Sequence, residues 1–144
     1  MKLEMKKMNV WVTTIKDKPG QLASKLAPLT AAGANLDFVI ARRSHSKAKT
    51  GLVFVSPIRG AKQTAAAKKA RFKQSKSLHG LKVTGTDKPG LGSKITQCLA
   101  DAGINLRGFS GVAVAKKAVF NLAFDSAADT AKAGKVLKKA APKL

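Results

Sequence analysis

Two of the chain's seven acidic residues, Asp17 and Asp87, stand in the same tetrapeptide, Asp-Lys-Pro-Gly, at Asp17–Gly20 and again at Asp87–Gly90. Proline suits the first turn of a helix, where its missing N–H costs nothing, and an upstream carboxylate can cap the free amides that follow. The chemistry on offer is hydrogen bonding at a helix start, not bond making. Residues for catalysis are scarce. There is no Cys–His pair in register, no cluster with metal-ligand spacing, and no glycine-rich loop of the Walker or dinucleotide kind. His45 lies in a basic loop and His79 beside Gly80 at a strand start. A single histidine in such a setting reads as a surface or linker residue. Neither a catalytic residue, a metal nor a cofactor is expected.

Composition bounds the class of protein. With 144 residues and 44% hydrophobic content, the chain is long enough for two small cores and apolar enough to fold. No apolar run approaches the roughly 20 residues of a membrane span. The basic start, Met1 to Met8, is followed by Asn9 and no long apolar stretch, so a secretory signal is not expected. The single cysteine, Cys98, cannot close an internal disulfide and reads as a small core residue of a helix. A reducing, cytoplasmic setting follows. Charge is the anomaly: 28 Lys and Arg against seven Asp and Glu give +21 at pH 7. Such a field attracts polyanions whatever the fold.

The elements that must position the two tetrapeptides are themselves repeated. The same seventy-residue offset carries Ala32–Leu36 onto Ala102–Leu106, and Phe54 onto Phe124. In the first copy, Val10–Ile15 is β-branched and aromatic and predicts a strand. Leu22, Leu26 and Leu29 then recur at helical spacing, with Pro28 expected to kink the helix or shorten its last turn. Gly33 closes it as a left-handed cap. A strand from Asn35 to Arg42, a basic hairpin, a strand over Gly51–Ser56 and an Ala/Lys helix over Ala61–Ala70 complete the set. The second copy repeats this order through Leu81–Thr86, the helix of Leu91, Ile95 and Leu99, paired strands at Asn105–Val114 and Ala118–Phe124, and a final helix at Ala127–Ala140. Phe38, Phe54, Phe120 and Phe124 alternate as core residues would. The expected domains are 1–76 and 77–144. Phe72–Ser75 can supply a last strand for the first copy, whereas the second is left without one unless Leu3 and Met5, which alternate with polar residues, fill the gap. An unfilled position would expose a sheet edge.

A strand–helix–strand–strand–helix–strand order is the ferredoxin-like arrangement. With Asp-Lys-Pro-Gly at the first turn and Ala-Gly-x-Asn-Leu entering the second strand, both in order and both duplicated, the chain resembles a tandem ACT domain protein over roughly 9–74 and 78–140. Phe38–Arg43 and Leu106–Ser110 are similar to short, freestanding two-ACT bacterial proteins. The resemblance implies an α+β fold of two units and a non-catalytic regulatory role. It also implies an amino acid held at the seam between two units packed side by side, in one chain or across a homodimer. The residues it points to are Asp17, Gly20, Gln21, Leu22, Asn35 and Leu36, with Asp87, Gly90, Leu91, Gly92, Asn105 and Leu106 in the second copy. Helix-start amides can receive a carboxylate, and Asp and Asn oxygens can accept from an ammonium group. The same Asp residues can instead cap helices, and the Asn residues can simply turn the chain. Gly92 replaces the apolar residue usual after the turn, which leaves open whether the two seams are equivalent.

The rival reading is a nucleic-acid-associated or protein-partner module. Arg59, Lys62, Lys68, Lys69 and Arg71 have no acidic neighbour, and Lys132, Lys135, Lys138 and Lys139 recur along the last helix. They form either a basic face or only a solvated one. With no tyrosine in the chain, base-stacking sequence recognition is not expected and any nucleic-acid binding would be non-specific.

Overall fold

The computed structural model describes residues 1–144 and divides into two compact units, Asn9–Ser75 and Met1–Met8 with Lys76–Leu144. The first unit runs β2 (Trp11–Lys16), α1 (Gln21–Ala31), β3 (Phe38–Arg43), β4 (Thr50–Ser56), α2 (Gly60–Lys69) and β5 (Lys73–Gln74). Its sheet order is β3-β4-β2-β5, antiparallel throughout. The second unit takes β1 (Glu4–Met8) from the start of the chain. It continues with β6 (His79–Thr86), α3 (Leu91–Asp101), β7 (Gly108–Val114), β8 (Lys117–Phe124) and α4 (Ala127–Ala140), ending in a short 3-10 turn. Its order, β1-β6-β8-β7, places β1 where β5 sits in the first unit. Both are ferredoxin-like α+β units with two helices against one sheet face.

The gap left by the second copy is therefore filled from the N-terminus. β1 pairs antiparallel with β6 from Glu4 opposite Thr84 to Met8 opposite Gly80. Its alternation explains the choice, because Met1, Leu3 and Met5 pack on the second core while Glu4 and Lys6 do not. Each such apolar side chain moved out of water contributes up to about 1.5–3 kcal/mol, scaled by how completely it is covered.

The cores lie between helices and sheet. In the first unit Trp11, Leu29, Val53, Val55, Ala67 and Phe72 are buried together, and in the second Val83, Ile95, Leu99, Leu122, Phe124 and Leu137 are almost wholly enclosed. Pro28 neither breaks nor shortens α1, which is 11 residues long like α3. Fully buried Leu29 anchors the last turn, and the Ala34 N–H to Leu29 C=O bond at 3.0 Å fastens it, with Gly33 bonded to Thr30 at 2.9 Å.

Two expectations fail in the third and second strands. Trp11 pairs with Val55 and its repeat Leu81 pairs with Leu122, so β8 is matched to β4 three residues earlier than the seventy-residue offset implies. The cause is the hairpin: Ser44–Lys49 links β3 to β4, whereas only Ala115 and Lys116 link β7 to β8. Phe54 thus corresponds to Asn121 and not to Phe124. It and Phe38 lie on the sheet face turned away from the helices, half-buried, with the Arg42 guanidinium 6.0 Å from the Phe54 ring centroid. Phe120 and Phe124 alone of the four are core residues. The second strands also begin later than expected, at Phe38 and Gly108, because Asn35–Asp37 and Asn105–Arg107 form the connection.

Candidate ligand-binding site

Each Asp-Lys-Pro-Gly turn is held by its own backbone. The Asp17 N–H donates to the Lys49 C=O at 3.0 Å and the Asp87 N–H to the Lys116 C=O at 2.9 Å, tying the turn to the hairpin beside it. Gly20 and Gly90, at φ of 84° and 83°, are the N-caps, and neither helix has a side-chain cap. Capping by Asp17 and Asp87 is thus corrected: the left-handed glycine reverses the chain between the carboxylate and the helix, and the glycine C=O accepts the first helical bond. In α3 that bond is Lys94 N–H to Gly90 C=O at 3.0 Å, which leaves the Gly92 and Ser93 amides without an intrahelical acceptor.

In the second unit this turn borders a cleft of about 360 Å³. Asp87, Lys88 and Gly90 to Gly92 form one wall. The other comes from β7, through Phe109 and Gly111 to Ala113, with Ala118 and Phe120 of β8 beneath. The Phe109 and Phe120 rings lie 5.6 Å apart. A Cβ on Gly111 would stand 2.9 Å from the Phe120 ring and one on Gly92 3.2 Å from it, so the two glycines make room for that ring. Asp87, Gly90, Leu91 and Gly92 all line this one cleft. Asn105 is exposed and Leu106 packs on the core, and neither lines the cleft. Phe109, Gly111 and Phe120 escaped the sequence reading. The signal was there in part, since the glycine at 92 has no counterpart at Leu22.

The first unit differs at the same places. Asp17 Oδ2 accepts from Arg43 Nε at 2.8 Å in an exposed ion pair. The residue that matches Arg43 is Ala113, and the Asp87 carboxylate has no partner. Where the second unit has Gly92 against the Phe120 ring, Leu22 packs against the first core. Asn35 is exposed and Leu36 half-buried against that core.

Of the basic candidates, Arg59, Lys62, Lys68, Lys69 and Arg71 are exposed in the first unit, and Lys132, Lys135 and Lys139 in the second. Lys132 Nζ donates to the Ala102 C=O at 2.8 Å, closing the end of α3. Lys25 does the same for Ala70 at 2.7 Å.

No family profile matches this chain, and no curated protein does. Its fold is shared with solved structures. A Bacteroides thetaiotaomicron protein is 18% identical with a TM-score of 0.75, over 95% of this chain and 89% of that one. The ligand-free regulatory subunit of aspartate kinase from Thermus thermophilus is 14% identical with a TM-score of 0.66, over 96% and 95%. A structure of aspartokinase alpha and beta subunits is 22% identical with a TM-score of 0.66, over 97% of each chain. At these identities the likeness establishes the fold, and among these neighbours are regulatory portions of aspartate kinase.

Proposed function

We propose that this chain is a tandem ACT protein that acts without catalysis, sensing a free amino acid at the seam its second unit makes with a like unit. The observation that carries the reading is that the unpartnered Asp87 carboxylate and the start of α3, with its open Gly92 amide, line the same cleft. An α-amino acid presents one ammonium and one carboxylate, and this arrangement supplies an acceptor for the first and donors for the second. Likeness of fold to regulatory subunits of aspartate kinase supports a regulatory role. β7 is the free edge of its sheet and has no charged residue from Gly108 to Val114. A like unit from a second copy laid along it would close the cleft, so that bound ligand favours one arrangement of the pair. The test is a thermal screen against the twenty amino acids. Ligand at about a hundred times its Kd stabilises the native state by about 2.7 kcal/mol. That rise should vanish in Asp87→Asn, and a screen with no rise at all sinks the reading.

A second reading, association with nucleic acid, is favoured by one observation: no acidic residue occurs between Asp37 and Asp87. It requires a short duplex or single strand to remain bound at about 0.15 M salt, and release there removes it.

A further inference from the structure

Resting on the amino-acid reading, we infer that the cleft of the second unit takes an α-amino acid with an apolar side chain. We infer also that the matching region of the first unit is closed, so that one ligand binds per chain.

Charge decides the side-chain class. Asp87 and Lys88 are the only ionisable groups on the cleft wall. One carboxylate and one ammonium match the two charges of the zwitterion and leave nothing to pair with a charged side chain. An unpaired charge set against an apolar wall loses hydration without recompense. The remaining side chains on that face are apolar: Leu91 is 2% and Phe120 9% exposed, while Phe109, at 44%, has uncovered area for a ligand to bury. At about 360 Å³ the cleft falls at the small end of ligand sites, which run from roughly 300 to 1,000 Å³.

The first unit lacks each requirement. Its Asp17 carboxylate is already engaged by Arg43 at 2.8 Å. Leu22 packs on the first core where the second unit has Gly92 with the Phe120 ring against it, and Val53 stands where Phe120 supplies an aromatic floor. The duplication therefore kept the frame in both units and the opening in one.

Isothermal titration calorimetry on the full chain tests this with L-leucine, L-methionine, L-phenylalanine, L-alanine, L-lysine and L-aspartate. Leucine should bind about tenfold or more tightly than alanine, since each buried methylene is worth about fourfold. Stoichiometry should be one per chain. 4-Methylpentanoate, which is leucine without its amine, should bind about tenfold or more weakly, and Asp87→Asn should abolish the difference between the two. Gly92→Leu, which copies Leu22, should eliminate leucine binding. If that variant does not fold, the Asp87→Asn comparison decides instead. Preference for lysine or aspartate would overturn the side-chain assignment while leaving the sensor reading intact. Two ligands per chain would overturn the asymmetry, and no binding by any amino acid would overturn both this inference and the reading beneath it.

Discussion

Single residues in this protein are best understood by comparing the two copies, because a shared frame isolates what each side chain does. Arg71 occupies the position after α2 that Gly33 and Gly103 occupy after α1 and α3, and it is held at φ 70°. Its N–H donates to the Lys68 C=O at 3.0 Å and that of Phe72 to Ala67 at 2.9 Å, the same closing bonds that the glycines make. An L-residue in the left-handed region costs about 1–2 kcal/mol, partly offset because glycine loses more freedom on folding. Arg71→Gly is expected to raise stability by roughly 0.5–1 kcal/mol in urea unfolding. Gly103→Ala should lower it by about 1 kcal/mol although its added Cβ meets nothing within 4 Å, so the cost is conformational alone. A destabilised Arg71→Gly would show that the guanidinium makes up for the strain. Arg43→Ala removes an exposed ion pair and should change stability by less than about 1 kcal/mol, whereas any larger loss would mean that Asp17 holds the turn through its side chain.

At the scale of elements, the first strand of the chain belongs to the second unit. β1 covers the edge of β6 and brings Leu3 and Met5 to the core of α3 and α4, while the first unit closes its own sheet with the two residues of β5. Removing residues 1–8 should therefore open β6 and loosen the second unit while leaving the first. Hydrogen exchange should report this as lost protection in β6 and β8 with β2 and β4 unchanged; uniform loss across both sheets would contradict the division. Much of the element order was legible beforehand, because Leu22, Leu26 and Leu29 or Val10 to Ile15 signal their periods locally. The third-strand register was not. From the start of β3 to the start of β4 is three residues longer than from β7 to β8, because the hairpin is longer by four and the strand shorter by one, and this odd shift turns Phe54 away from the helices.

For the whole molecule the dominant quantities are charge and the uncovered strand. A net charge of +21 opposes self-association, so any pairing of copies needs a surface where that repulsion is least. Of the sheet edges, β1 carries Glu4, Lys6 and Lys7, β3 ends in Arg42 and Arg43, and β5 contains Lys73, whereas β7 is uncharged and leaves Val112 and Val114 at 55% and 63% exposure. Charged side chains protect a strand from pairing, and β7 lacks that protection. Sedimentation should find a dimer that strengthens with salt, as screening weakens the repulsion, and Val112→Lys should convert it to monomer. A parent protein that is already monomeric at high salt would remove β7 as a pairing edge.

The sequence alone was enough to establish the duplication, the order of strands and helices in each copy, and the two turns around which the candidate site is built. These depend on neighbours within a few residues, through dihedral preference and short-range periodicity. Tertiary structure decided which carboxylate is free, which side chains line the second unit's cleft, and which strand completes the second sheet. Those outcomes arise between residues far apart in the chain: Arg43 reaching Asp17, Phe120 settling against Gly92 and Gly111, and Met5 packing opposite Val83. Nothing in local propensity distinguishes the two copies of Asp-Lys-Pro-Gly; only the side chains that long-range packing sets beside them do.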